Sequence, residues 1–307
     1  MFKALLKYQQ GLFRKKRGDK MELKHIATRS GRLSGFLREE MGMSAGLMNR
    51  LKWKSSILVN DQPVFTDHPV QVGDIICVLM DEPAPEYPAE DMALTILYED
   101  DHLLAVDKPA GMLIHPSRSC NTGTLANGVA GYYQRTGQSC AFHPVTRLDR
   151  DTFGIVLLAK NSHIHNRLQA ANVEKIYHAL VYGGPEMDTG RIDAPIARKP
   201  LPSLLREISP EGKPSVTEFT VLERSGELAL LALRPITGRT HQLRLHCAHM
   251  GYPILGDPQY GSQASQQVSA RLGLEYQQLC ARELRFAHPM TGETLCLQSN
   301  IKIQIPY

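Results

Sequence analysis

Residues His143 to Gly154, HPVTRLDRDTFG, put Arg147, Asp149, Arg150 and Asp151 within five positions and then run into the apolar IVLLAK. Carboxylates beside guanidiniums on a loop are often only solvated pairs of little energetic weight. They can also be reactive, as a nucleophile, a general base or a glycosidase-type stabiliser of a sugar cation. The apolar run reads as a buried strand, which anchors the loop at a scaffold edge where catalytic groups are commonly placed. These residues do not rank the three chemistries. Asp149 and Asp151, two apart on an extended segment, point to opposite faces, which disfavours an acid and base pair converging on one bond.

A second cluster follows in LRPITGRTHQLRLHCAHMGYPILGDPQYG, Leu233 to Gly261. The spacing predicts a helix opening at Arg239, with Arg239, Gln242 and His246 on one face and Leu243 on the apolar side. An arginine fork there suits a carboxylate or a phosphate. The histidines His241, His246 and His249 lack an acidic or thiolate partner that would converge with them, so no metal is expected.

These clusters need a scaffold, and 307 residues at 42% hydrophobic can bury one large core or two. No run of eighteen apolar residues and no secretory signal is present, so a membrane span is not expected and a cytoplasmic protein is. Six scattered cysteines without CxxC pairs read as reduced thiols. Residues 1–20 carry seven Lys or Arg against one Asp, so the net +4 of the chain leaves about −2 for the remainder, and the basic character is an added arm.

Leu33, Phe36, Leu37 and Met41 mark one face of a helix closed by Gly42, and Ser44 is placed to cap a second. The second helix carries Leu47, Met48 and Leu51, with Arg50, Lys52 and Lys54 around Trp53. Strands follow, with turns at Asn60-Asp61 and Gly73-Asp74. This unit resembles the S4 RNA-binding module, which implies RNA contact through Arg50, Lys52 and Lys54. DEPAPEYPAE, Asp81 to Glu90, reads as a semi-rigid linker. Beyond it, adjacent strands joined by short turns such as Arg224-Ser225-Gly226 predict a mainly antiparallel sheet with flanking helices, an α+β fold. The expected division is an arm over 1–20, the S4-like α+β domain over 21–82, a linker over 83–92 and a catalytic domain over 93–307.

Four ordered blocks, DKPAGMLIHP (107–116), HPVTRLDRDTFGIVLLAK (143–160), VEKIYHALVYG (173–183) and LRPITGRTHQLRLH (233–246), resemble the signatures of the RluA family of RNA pseudouridine synthases. The resemblance implies that uridines in structured RNA, ribosomal more than transfer RNA, are isomerised without any cofactor. It makes Asp149 the catalytic carboxylate, Arg239 the partner that keeps it charged, and Tyr177 the ring that stacks on uracil and takes part in proton transfer. Leu243 would pack in the uridine pocket, Arg147 would hold the flipped nucleotide, and Lys175 and Gln242 would support substrate binding. The rival expectation is an RNA-binding or ribosome-assembly protein without chemistry. Thr146 and Phe153 depart from the family's usual HRLD and TSG patterns, which bears on RNA choice more than on activity. The family likeness, with no sustained heptad, implies a monomer.

Overall fold

Alternating patterns become strands on both sides of the proline-rich stretch, in a computed structural model that describes residues 13–17, 20–43, 45–52, 56–81, 87–117, 120–200, 203 and 205–306. The first region holds β1 (Phe13–Arg17), β2 (Lys20–Ile26), β3 (Gly31–Arg32), β4 (Ile57–Val59), β5 (Gln62–Pro63), β6 (Pro69–Val70) and β7 (Ile75–Asp81). Five of these form a sheet in the order β1-β2-β7-β4-β5. The expected first helix begins as α1 (Leu33–Gly35), continues as a π-helical turn over Phe36–Glu40 and ends at Gly42 in a left-handed conformation. Its four apolar positions are fully buried and share a core with Leu47, Leu51, Ile57 and Val78, which brings in α2 (Ala45–Lys52). Asn60 and Asp61 both take positive φ, as a tight hairpin turn requires.

The basic arm is in part a strand. Phe13 to Arg17 pair antiparallel with Lys24 to Lys20, at a sheet edge that tolerates charge, while residues 1–12 lie outside the described residues. Ser44, Trp53 and Lys54 also lie outside them.

The second region contains β8 (Thr95–Glu99), β9 (Leu103–Lys108), β10 (His143–Pro144), β11 (Phe153–Ala159), β12 (Glu174–Tyr182), β13 (Thr189–Asp193), β14 (Ile196–Arg198), β15 (Arg206–Ile208), β16 (Val216–Ser225), β17 (Leu228–Pro235), β18 (Leu279–Ala287) and β19 (Thr294–Gln298). A ten-stranded sheet runs β13-β16-β17-β12-β18-β11-β9-β8, with β10 beside β11 and β19 beside β18. Its pairs are antiparallel except β11 with β18, which gives the expected α+β fold.

Helices α3 (Leu125–Arg135) and α4 (Ser162–Ala170) cover opposite faces of β9 and β11. Val106, Val156 and Leu158 pack with Leu125 and Val129 of α3, whereas Ala105, Ile155 and Leu157 pack with Ile164 and Leu168 of α4. Burial on both faces explains why β11 reads as a continuous apolar run. Helices α5 (Gln242–His249) and α6 (Gln263–Arg271) complete the unit. No helix of the described residues is long and apolar enough to cross a membrane.

The linker expected over 83–92 is not a free spacer in its second half. Pro88 and Glu90 bond to Asn127, the Glu90 carboxylate accepts the Gly123 amide, and the Glu90 carbonyl lies where a side chain on Gly131 would sit. The Pro88 carbonyl thus takes its donor from α3, and the Glu90 amide finds its acceptor there.

Candidate active site

The loop between β10 and β11 is fastened at several points before it presents Asp149. The Thr146 hydroxyl accepts the Leu157 amide at 3.0 Å, the Thr152 amide donates to the Asp149 carbonyl at 3.2 Å, and Gln277 donates to the Thr152 hydroxyl. Thr146 thus closes the loop onto β11, and Phe153 is buried in the core. Gly154 at φ 105° lets β11 approach β18 so closely that a Cβ would lie 2.4 Å from the Ala281 carbonyl oxygen. Beneath the loop, the fully buried Lys108 gives its three donors to the carbonyls of Pro109, Met112 and Arg150 at 2.8, 2.9 and 2.8 Å. Burial pushes its pKa down to about 8, against the opposing pull of Asp151 and Asp149.

The partner of Asp149 is Arg244 and not Arg239. Arg244 Nη1 donates to Asp149 Oδ2 at 3.3 Å, while Nε and Nη2 form a fork on Asp257 at 2.7 Å each, and Nη2 also reaches Gln259. Helix α5 begins at Gln242, three residues later than the spacing predicted. Arg239 therefore stands outside it, exposed, with Nε on the Pro214 carbonyl at 3.4 Å. Gln242 lines the same cleft as Asp149 but is buried, with its polar atoms engaged by the protein. Its carbonyl oxygen accepts from the Arg239 amide and the Thr237 hydroxyl, and its amide nitrogen donates to Val216 and Thr217, so all its polar positions hold the loop to β16. His246 is similarly occupied by Thr217 and the Ala194 carbonyl, and the described residues contain no metal-ligating cluster.

Tyr177 lies at a register shift between β12 and β18, where a bulge re-aims side chains. It packs against a core cluster that includes Leu243. Burial pushes the phenol pKa up and the Asp149 charge adds to it, so the hydroxyl keeps its proton at neutral pH. Asp149, Arg147, Tyr177, Lys175, Leu243 and Arg244 line one cleft of about 1120 Å³, with Arg239 on its rim. Arg147 is exposed, and burial lowers the pKa of Lys175. In the first region Arg50 is exposed on α2 and Lys52 belongs to the same helix.

Spacing overlooked Arg244, Asp257 and Lys108. The signal for the first two lay in the quoted block itself: an arginine in a helix that buries its faces needs acidic partners, and Asp257 follows thirteen residues later. One carboxylate held by a buried guanidinium, beside an aromatic ring with a protonated hydroxyl, in a cleft above the size usual for small ligands, suits covalent or base chemistry on a ring-bearing polymer.

Comparisons with known proteins agree with this geometry. The RNA pseudouridylate synthase family profile matches residues 102–249. The chain is 36% identical over 263 residues to the uncharacterized RNA pseudouridine synthase YjbO of Bacillus subtilis, covering 83% of this chain and 90% of that one. It is 31% identical over 290 residues to the ribosomal large subunit pseudouridine synthase C of Vibrio cholerae, covering 89% and 90%. Among solved structures, human RNA pseudouridylate synthase domain containing 1 aligns with a TM-score of 0.56 at 26% identity, covering 70% of this chain and 86% of that one. The chain belongs to the family of RNA pseudouridine synthases.

Proposed function

We propose that this enzyme isomerises specific uridines of ribosomal RNA with Asp149 as the catalytic carboxylate. The observation that carries the assignment is the asymmetry of that group: Oδ2 is held by Arg244, whereas Oδ1 has no hydrogen-bond partner among the described residues of the cleft. The reaction breaks the N1 to C1′ bond, joins C5 to C1′ and moves the C5 proton away, with no change of redox state and no atom gained. A free carboxylate oxygen serves equally for attack at C1′, for proton abstraction at C2′ or for addition at C6. Tyr177 offers its ring to the flipped uracil, and stacking offsets part of the few kcal/mol that unstacking costs.

The cleft exceeds what a nucleoside needs, and Arg147, Lys175 and Arg239 give it a cationic rim suited to a phosphate backbone. Arg50 and Lys52 on α2 would extend the contact as an S4-like domain over 21–82, ahead of a catalytic domain over 93–307, and Lys54 follows them in sequence. The relatives named for the large ribosomal subunit favour ribosomal over transfer RNA. We place the action in the cytoplasm, by a monomer.

Carbodiimide mapping of ribosomal and transfer RNA, from cells lacking the gene and complemented with wild type or Asp149→Ala, tests the whole reading. The expected result is a primer-extension stop that vanishes on deletion and returns only with wild type. A stop restored by Asp149→Ala overturns the site assignment, and an unchanged pattern in all ribosomal RNA overturns the target.

A further inference from the structure

We infer that His241 is a positioning residue for Asp149, its Nε2–H directed at the carboxylate by a hydroxyl relay through Tyr260. The inference rests on the reading of Asp149 as the reacting carboxylate. Outside the Asn60-Asp61 turn, His241 is the one non-glycine among the described residues with a positive φ, at φ 57° and ψ 19°. A non-glycine residue takes that backbone uncommonly and at a cost in strain, so the imidazole at this position calls for a reason. The strain sits at the start of α5 and leaves the ring between two groups of the site. Nδ1 is 2.8 Å from the Tyr260 hydroxyl, and Nε2 is 3.9 Å from Asp149 Oδ2.

The Tyr260 oxygen accepts the Arg206 amide at 3.1 Å, and its own O–H is placed to donate to Nδ1, the arrangement that the inference takes. A neutral ring bonded in this way carries its hydrogen on Nε2, on the Asp149 side. Burial raises the Tyr260 pKa, so the phenol keeps its proton. Burial also lowers the His241 pKa; Arg244 and Arg206 add to that, and Asp149 and Asp257 oppose it. Tyr260 is itself fixed, by its amide on Asp257 at 3.2 Å and by the Arg244 guanidinium 5.0 Å over its ring. Catalytic hydrogen bonds are often long in free enzymes, and a contraction of about 1 Å on substrate binding would close this one. Arg244 and His241 then hold Oδ2 from two directions and present Oδ1 to the nucleotide.

The test measures kcat and KM separately by tritium release from 5-tritiated ribosomal RNA prepared from cells lacking the gene. His241→Asn keeps a residue that tolerates the left-handed backbone but is too short to reach Asp149. It is expected to lower kcat about 10- to 100-fold with KM within about twofold, the scale of a misplaced reactive group. Tyr260→Phe is expected to lower kcat less, and the double variant no further than His241→Asn alone, because Tyr260 acts through the imidazole. A wild-type kcat in His241→Asn, losses that multiply in the double variant, or a loss confined to KM overturns the inference. Should His241→Asn fail to fold, Tyr260→Phe decides, and a wild-type kcat there overturns it. Turnover by Asp149→Ala under the same assay would instead overturn the reading on which the inference rests.

Discussion

Arg239 and Arg244 stand five positions apart on one segment, and their surroundings differ in every respect that matters for function. Arg244 is buried, with a fork on Asp257, a bond to Asp149 and a contact with Gln259. Arg239 lies on the cleft rim, exposed, with a long bond to a backbone carbonyl. A charge taken out of water must be paired where it stands, so Arg244 is committed to the protein and can only orient Asp149. A charge left in water keeps its hydration until a phosphate replaces it, and Arg239 is free to meet one. The proposed active site is thus a buried ion cluster inside a cationic rim. The two layers should fail in different ways.

Removing the buried layer gives the largest effect. Arg244→Met leaves Asp257 buried without its partner, and the expected loss is about 3–5 kcal/mol of stability, read by denaturant unfolding. Arg244→Lys keeps a charge but not the fork; it should retain more stability yet lower kcat at least about 100-fold, since the carboxylate is no longer held. Wild-type kcat in Arg244→Lys would break the comparison. Tyr177 gives the next effect. Tyr177→Phe is expected to keep RNA affinity while kcat falls, and Tyr177→Ala to lose both, with stacking worth about 1–3 kcal/mol per base. Equal kcat in the two variants would remove the hydroxyl from the chemistry.

Burial without a partner sets a different limit. His163 of α4 is buried and its Nε2 has no hydrogen-bond partner among the described residues, so its pKa is pushed down to about 4 by burial, with the charges of Arg167 and His102 adding. The folded pKa lies below the unfolded value of about 6.5, so between these values the unfolded chain binds a proton that the native state refuses. Stability should therefore fall as pH drops from about 6.5 to about 4, by about 3 kcal/mol from this group, with no contribution at neutral pH. Thermal unfolding of His163→Gln across that window should show a slope reduced by this amount. An unchanged slope would mean that His163 is solvated or paired in solution.

What could be read in the sequence divides along the same line. The four apolar positions of the first helix, the Asn60-Asp61 turn and the apolar β11 were legible because period and turn chemistry are local properties. Asp149 and Tyr177 were singled out through resemblance, and the structure brings both to one cleft with Leu243 and Arg147. The partner of Asp149 was not, because it depends on where α5 starts. The left-handed His241 delays that start to Gln242, and a shift of three residues exchanges which arginine faces inward. Lys108 was quoted within a block and given no role, since three backbone carbonyls converging from different segments leave no trace in spacing. Gln242 illustrates the converse: a polar residue beside a site that the fold has used completely.

The smallest expected effect is on the rim, and it is the one that most directly separates the two arginines. Arg239→Ala should leave the fold and kcat unchanged, because its backbone bonds to Gln242 survive and the one side-chain hydrogen bond it makes among the described residues is the long one to the Pro214 carbonyl. If it meets a phosphate, affinity for ribosomal RNA should fall about 3- to 5-fold at moderate salt, the worth of one exposed charge contact. The slope of log affinity against log salt should become shallower by about one, and the loss should be uniform across RNA sequences. Filter binding over a salt series, beside Arg147→Ala as a second rim variant, reads both quantities. A drop in kcat for Arg239→Ala at unchanged slope would give this residue a hold on the chemistry and erase the distinction between cluster and rim.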